Sequence, residues 1–525
     1  MKYVISLALL ATMACNSSKS TADGTSQTST SEAIAVTADP VAYAETITEA
    51  DLKEHLNIYA SDEFEGRETG EPGQKKAVEY LKTEYEKLGV PAAQENGDYF
   101  QKVPLEVSKV PTGSITVNGQ EFPLGESLLT FSKVEGTYDE LIYVGYGIED
   151  GDYSDYEGLD IEGKAILIKS GEPKDENGNY LLSGSKEESI WSNMSESLGK
   201  RFELAKSKGA AVVFYYDEGN FGRFKARFNY MQNNDSGQMQ LAADSSGDFV
   251  NLFVDKNLAE NLMPEIASKD TPEALATDLM IDIKSENDGV DSENVVAIIK
   301  GSEKPEEYVV ISSHLDHIGI TPDGRINNGA DDDGSGTVAL LEIAEAFKKA
   351  VDAGQGPKRS IVFLHVTGEE KGLLGSRYYT DVDPVVPLEN TVADLNIDMI
   401  GRIDPTHEGD RDYIYLIGSD KLSSDLHELS EAINDKYANI ELDYKFNDEN
   451  DPNRFYYRSD HYNFAKNDIP IIFYFSGTHA DYHKPTDTVD KINFDLLENR
   501  TRLVFHTAWE VANREQRVVV DKASK

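Results

Sequence analysis

Between residues 292 and 513, short apolar runs rich in Val and Ile alternate with amphipathic runs of helical spacing, and this rhythm constrains the fold more than any other feature. Strands read at 295–299, 308–313, 360–366, 392–397, 413–417 and 470–474, and helices near 337–351, 372–380, 421–437, 461–466 and 494–513. Tyr308-Val-Val-Ile is apolar throughout rather than alternating, as a strand covered on both faces must be. The alternation predicts an α/β fold, a mostly parallel sheet sandwiched by helices. Sites on such sheets form beyond the carboxyl ends of the strands.

Polar clusters fall at those ends. His314-Leu-Asp-His follows the run from Tyr308, and Asn328-Gly-Ala-Asp-Asp-Asp-Gly-Ser-Gly opens into the helix at Thr337. Thr367-Gly-Glu-Glu-Lys-Gly follows the strand at 360–366, Asp398 ends the strand before it, and Asp481-Tyr-His-Lys-Pro-Thr-Asp lies near the end of the domain. Each cluster alone has an ordinary explanation: a hydrogen-bonded histidine, a solvated acidic turn, a surface Glu pair. Together they combine imidazole and carboxylate with no thiolate, which suits zinc or another divalent ion in a catalytic site. Five candidate ligands exceed what one open zinc site needs; two ions sharing a carboxylate, about 3.5–4 Å apart, would use them all. One Glu of the pair would remain as a general base.

These motifs, with Gly368-Glu-Glu-Lys-Gly-Leu-Leu-Gly-Ser, Asn396-Ile-Asp-Met-Ile-Gly-Arg, Arg458-Ser-Asp-His-Tyr-Asn-Phe and Tyr482-His-Lys-Pro-Thr-Asp-Thr, resemble the co-catalytic di-zinc aminopeptidases, the family that also contains glutamate carboxypeptidase. The resemblance covers residues 292–513 and, through fewer matches, 47–88. It implies two Zn2+ ions, with His314 and Asp398 on one, Glu370 and His483 on the other, and Asp332 bridging them. It further implies that Asp316 is the carboxylate that orients His314, and that Glu369 is the base that takes a proton from the metal-bound water and returns it to the leaving amine. Tyr482 matches the position that, in the carboxypeptidase branch, points a phenol at the oxyanion. The bond between Asp332 and Asp333 is expected to be cis. The substrates implied are peptides cut at a free N-terminus. A carboxypeptidase or dipeptidase of the same fold, and a non-catalytic binding protein that keeps it, are the rival readings; intact Glu369 and intact ligand positions count against the last.

The remaining chain reads as follows. Residues 1–15 have the charged start and apolar stretch of a signal peptide, too short to span a bilayer, ending at a lipobox-like Ala14-Cys15. Cys15 is therefore the expected lipid anchor of an extracytoplasmic, cell-envelope protein, with an ordinary secretory signal as the alternative. Residues 16–41 form a Ser/Thr-rich linker. Residues 42–130 are assigned to the N-terminal part of the peptidase domain, with helices at 47–60 and 73–88 around a turn-rich loop at 62–70. Residues 131–290 carry Glu140-Leu-Ile-Tyr-Val-Gly, Gly163-Lys-Ala-Ile-Leu-Ile-Lys and Gly209-Ala-Ala-Val-Val-Phe-Tyr-Tyr, and resemble an inserted, β-rich protease-associated domain. Residues 291–525 are the catalytic part. The chain has 50 basic and 95 acidic residues, a formal net charge of -45, which is hostile to nucleic acid and to anionic membrane surfaces. Its single Cys excludes any disulfide within the chain, so stability must come from packing.

Overall fold

The buried run Tyr308 to Ser313 lies in the strand Lys304–His314, at the centre of a nine-stranded sheet. The structure is a computed structural model and describes residues 39–233, 237–243, 249–407 and 409–522. The signal segment, Cys15 and most of the Ser/Thr-rich linker lie outside the described residues. From one edge to the other the sheet runs Gln238–Leu241, Phe100–Ser108, Asn287–Ile299, Arg359–Val366, Lys304–His314, Thr391–Ile397, Ile471–Phe475, Tyr413–Ile417, Glu441–Asp443. Its parallel character is concentrated in four central strands, from Arg359–Val366 to Ile471–Phe475. Asn287–Ile299, Phe100–Ser108 and Tyr413–Ile417 join antiparallel, so the expected mostly parallel sheet has a parallel centre with antiparallel flanks. Apolar composition cannot separate the two directions, because a strand covered on both faces reads the same in either.

Helices cover both faces. Gly334–Asp352, Phe494–Asn513 and Glu49–Tyr59 pack together on one side, and Leu374–Asp381 with His461–Ala465 on the other. Val310, Val362, Leu364, Tyr379 and Phe464 form one of the buried clusters between layers. Helix starts follow local chemistry: the Thr48 hydroxyl caps Glu49–Tyr59 through Asp51 N at 3.2 Å, and Asp333 caps Gly334–Asp352 through Gly336 N at 2.9 Å.

A second, eight-stranded sheet is built between the strands Phe100–Ser108 and Asn287–Ile299. The chain leaves the first sheet through 109–111 and returns through 285–286, and Gln238–Leu241 comes back to pair with Phe100–Ser108. Thr112–Val117 and Gln120–Pro123 belong to the second sheet, so the expected boundary at 131 falls inside it.

Register positions the site. His314 lies opposite Val366, and Ser312 opposite Asn396. Glu369 and Glu370 therefore emerge just past the end of one neighbour, and Asp398 level with His314 on the other.

Candidate metal centre

Helix capping and strand register bring the expected residues to one point. His314 Nε2 lies 3.3 Å from Asp332 Oδ1 and 3.6 Å from Asp398 Oδ1. On the far side of Asp332, His483 Nε2 lies 3.2 Å from Asp332 Oδ2 and 3.1 Å from Glu370 Oε2. The Asp332–Asp333 peptide is cis.

The structure separates the three acids of the triplet. Asp333 is consumed as a cap: its Oδ1 accepts from Gly336 N and Met399 N, and its Oδ2 from His314 N at 3.3 Å. Asp331 accepts from Gly401 N at 2.7 Å and faces His479 Nε2 at 3.2 Å. Only Asp332 turns both oxygens to imidazoles, while the Asp487 carboxylate accepts from the main-chain N–H groups of Asp331 and Asp332 at 2.9 and 3.3 Å.

Asp316 stands differently from expectation. The Nδ1 of His314 meets the main-chain carbonyl of Asp316 at 3.1 Å, whereas the nearer carboxylate oxygen is 4.0 Å away. A carbonyl can only accept, so neutral His314 keeps its proton on Nδ1 and turns the Nε2 lone pair toward Asp332 and Asp398. The Asp316 carboxylate instead accepts from Thr69 Oγ1 at 2.7 Å and from the main-chain N of Glu369 at 3.2 Å.

His317, the second histidine of the His314 motif, has no role in the sequence reading. It is fully buried, and its Nδ1 lies 2.9 Å from Glu370 Oε1 and 3.7 Å from Asp332 Oδ2. The signal that could have found it is the spacing: two histidines bracketing a strand end, both too polar for a core position without partners.

Burial should make charge here costly, yet Asp332 and His483 support each other's charged forms. Burial opposes protonation of His483, but Asp332 and Glu370 push it up to about 10. Burial would likewise raise Asp332, and His317, His314 and His483 hold it well below the usual carboxylate range. Glu369 is pushed well above its ordinary value by burial first, then by Glu370, Asp398 and Asp460. Burial first, then Asp332, Glu370 and Asp398, raise the Tyr482 phenol, keeping it protonated.

This is a site that draws positive charge. Ligand atoms about 2.0–2.1 Å from a tetrahedral zinc lie about 3.3 Å from one another. The four distances of 3.1 to 3.6 Å match that spacing, and Asp332 Oδ2 is buried with no hydrogen-bond donor. Among the described residues, the groups of three able to hold a cation are His314, Asp332 and Asp398, all buried, and His317, Asp332 and Glu370, of which Glu370 is partly buried. The residues fit the group that the sequence implies.

Asp332, Glu369, Asp398, Tyr482 and His483 open into a cleft whose other walls include Met399, Phe455, Phe473, Phe475 and Arg458. Two larger hollows, one in the second layer beside Arg201 and one beside Tyr456 and Tyr462, are not lined by any histidine.

Residues 294–508 match the sequence profile of peptidase family M28. A probable leucine aminopeptidase 2 of Aspergillus oryzae is 26% identical over 447 residues, 80% of this chain and 75% of that protein. A probable glutamate carboxypeptidase of Arabidopsis thaliana is 35% identical over 106 residues, 20% of this chain, and the chain covers only 14% of that protein's length. An aminopeptidase from Aneurinibacillus sp. strain AM-1 is similar in structure over 93% of this chain and 99% of that one, at 19% identity and a TM-score of 0.46.

Proposed function

We propose that this chain, a member of peptidase family M28 through its residues 294–508, is a zinc-dependent exopeptidase that removes N-terminal residues from peptides, with two zinc positions sharing Asp332. The observation that carries the reading is Asp332 itself, a buried carboxylate with a separate imidazole–carboxylate group on each oxygen. His314 and Asp398 would hold one ion, Glu370 and His483 the other. Zinc in these positions supplies Lewis acidity to the scissile carbonyl and to water. Glu369, in the same cavity, takes the proton of the attacking water and hands it to the departing amine. Tyr482, stacked on His483 at 3.9 Å between ring centroids, donates its phenol proton as a hydrogen bond to the developing oxyanion. Asp316 holds the main chain of Glu369 and so positions the base.

A carboxypeptidase or dipeptidase is the second reading, and Arg458 is the observation that favours it. Its guanidinium stacks 4.9 Å from the Phe455 ring at the cavity wall, 3.4 Å from the Tyr482 hydroxyl. A substrate carboxylate would find a fork there. Arg402 has no such freedom, being paired with Asp481 at 3.0 Å and Asp487 at 3.7 Å. The N-terminal reading is preferred because the relative matched over 80% of this chain and 75% of its own length is a probable leucine aminopeptidase. An aminoacyl anilide run beside an N-blocked dipeptide separates the two: turnover of the anilide alone is expected. Arg458→Ala should leave KM for the anilide within about twofold, since the anilide has no carboxylate for the guanidinium to bind, and any loss of the contact to Tyr482 would fall on kcat. A loss above tenfold confined to substrates with a free C-terminus would establish the second reading, and turnover of neither substrate by zinc-loaded protein would favour a binding protein.

We read the second sheet as a protease-associated insertion, supported by its strands Val134–Gly145, Ala165–Lys169 and Val212–Tyr216 alternating with the helix Met194–Ser207. We also propose attachment to the cell envelope through Cys15. Cys15→Ala should then move the protein from the membrane fraction into the soluble one; unchanged fractionation would leave the ordinary secretory signal.

A further inference from the structure

We infer that His317 is a further protein ligand, binding through Nδ1 the same ion as Glu370 and His483. The inference rests on the two-zinc reading above and adds to it a residue that the family motif positions leave out.

Asp332 divides the site. Its Oδ1 faces His314, and its Oδ2 faces both His483 at 3.2 Å and His317 Nδ1 at 3.7 Å. Glu370 is embraced in the same way, with Oε1 2.9 Å from His317 Nδ1 and Oε2 3.1 Å from His483 Nε2. The chain turns out of its strand at His314, so a histidine three residues later reaches the far side of the bridging carboxylate. His317, Asp332 and Glu370 thus place ligand atoms within 4.8 Å of one another at the second position, and His483 approaches the same two carboxylates. The first position has His314, Asp332 and Asp398.

The ring is held there without help from an ion. A Cβ at Gly329 would lie 2.6 Å from His317 Cδ2, so the imidazole packs flat against that glycine. The main-chain N of His317 donates to the Arg67 carbonyl at 3.3 Å. A clamped imidazole nitrogen aimed between two carboxylates is what a borderline-soft divalent ion selects. Without a cation the ring could serve only as a hydrogen-bond donor to Glu370, a positioning role. The two roles differ in what replaces them, because an amide N–H can donate to Glu370 and cannot stand in for imidazole on zinc.

The test uses the full chain loaded with zinc, with affinity read by competition against a chelator and coordination read from the d–d bands of the cobalt(II)-substituted protein. Loss of an outer hydrogen-bond partner costs about 10–100-fold in metal affinity. His317→Ala is expected to weaken one of the two metal equivalents more than 100-fold and leave the other unchanged. His317→Asn is expected to be as weak as His317→Ala, with cobalt bands shifted in both. Wild-type affinity and bands in His317→Asn, or a loss below about 100-fold in His317→Ala, would overturn the assignment. Melting of the metal-free proteins guards against misfolding: equal midpoints are expected, and only the zinc-induced rise should shrink. Wild-type protein that holds fewer than two zinc ions would refute the two-ion reading instead, whatever His317 does.

Discussion

Glu369→Gln is expected to bind as much zinc as the wild type and to retain less than about one hundredth of its kcat/KM. Gln keeps the shape of the side chain and the main-chain bond from Glu369 N to Asp316 Oδ1 at 3.2 Å, so the loop and the neighbouring Glu370 stay in place. What is lost is the ability to accept a proton. The position is suited to that task because burial, with Glu370, Asp398 and Asp460 nearby, raises the carboxyl and makes it a strong acceptor, and a cation in the site supplies the opposing field that lets it ionise. A hundredfold loss corresponds to about 2.7 kcal/mol of transition-state stabilisation. Zinc content and steady-state kinetics on the same preparation decide the matter. A variant with full zinc and more than a hundredth of wild-type kcat/KM would remove Glu369 from the base role, and a variant that lost zinc would show instead that the side chain supports the ligands.

How far the site could be read from residues alone depended on whether a residue's partner lies nearby in sequence. The strand ends at His314, Glu370 and Asp398 were visible because uninterrupted apolar runs stop at polar residues, and that contrast survives without coordinates. The choice of Asp332 among three adjacent acids did not come from pattern; it came from family resemblance, and the physical reason appears only in the fold. Asp333 is spent on the helix start three residues on and on Met399 N, 66 residues away, and Asp331 on Gly401 N, 70 residues away. The exchange of roles at Asp316, where the carbonyl meets His314 and the carboxylate meets Glu369 N, is likewise invisible, because one residue offers both acceptors and sequence does not say which is turned where. Strand direction outside the parallel centre was hidden for a related reason, since burial on both faces erases the period that would mark an edge. His317 was in plain view within a quoted motif and lacked a partner until the structure set Glu370 beside it.

Arg67 lies in the turn-rich loop at 62–70 and had no role in the sequence reading, and its replacement by Met should cost about 2–4 kcal/mol of stability. The guanidinium is 1% exposed, and its N–H groups donate to the carbonyls of Leu315, Tyr59, Asn328 and Gly329 at 2.7 to 3.2 Å. Leu315 belongs to the loop of His314 and His317, and Asn328 and Gly329 to the loop of Asp332, so one side chain ties both metal-bearing loops to the N-terminal segment. Glycine makes the approach possible: a Cβ at Gly66 would lie 2.4 Å from the Asn327 carbonyl oxygen. In the Met variant the Leu315 carbonyl keeps the Tyr59 hydroxyl at 2.8 Å and the Gly329 carbonyl keeps Gly334 N at 3.2 Å. The Asn328 and Tyr59 carbonyls lose the donor they share, at about 1–3 kcal/mol for each buried group left bare, partly offset because a buried cation no longer has to be desolvated. Denaturation midpoints of metal-free wild type and variant measure the difference. Arg67→Lys should rescue little, because three donors on one nitrogen cannot span four carbonyls on separate loops. Full recovery in Arg67→Lys would mean that charge alone was needed, and a loss below about 1 kcal/mol in Arg67→Met would mean that the loops hold their geometry without the guanidinium.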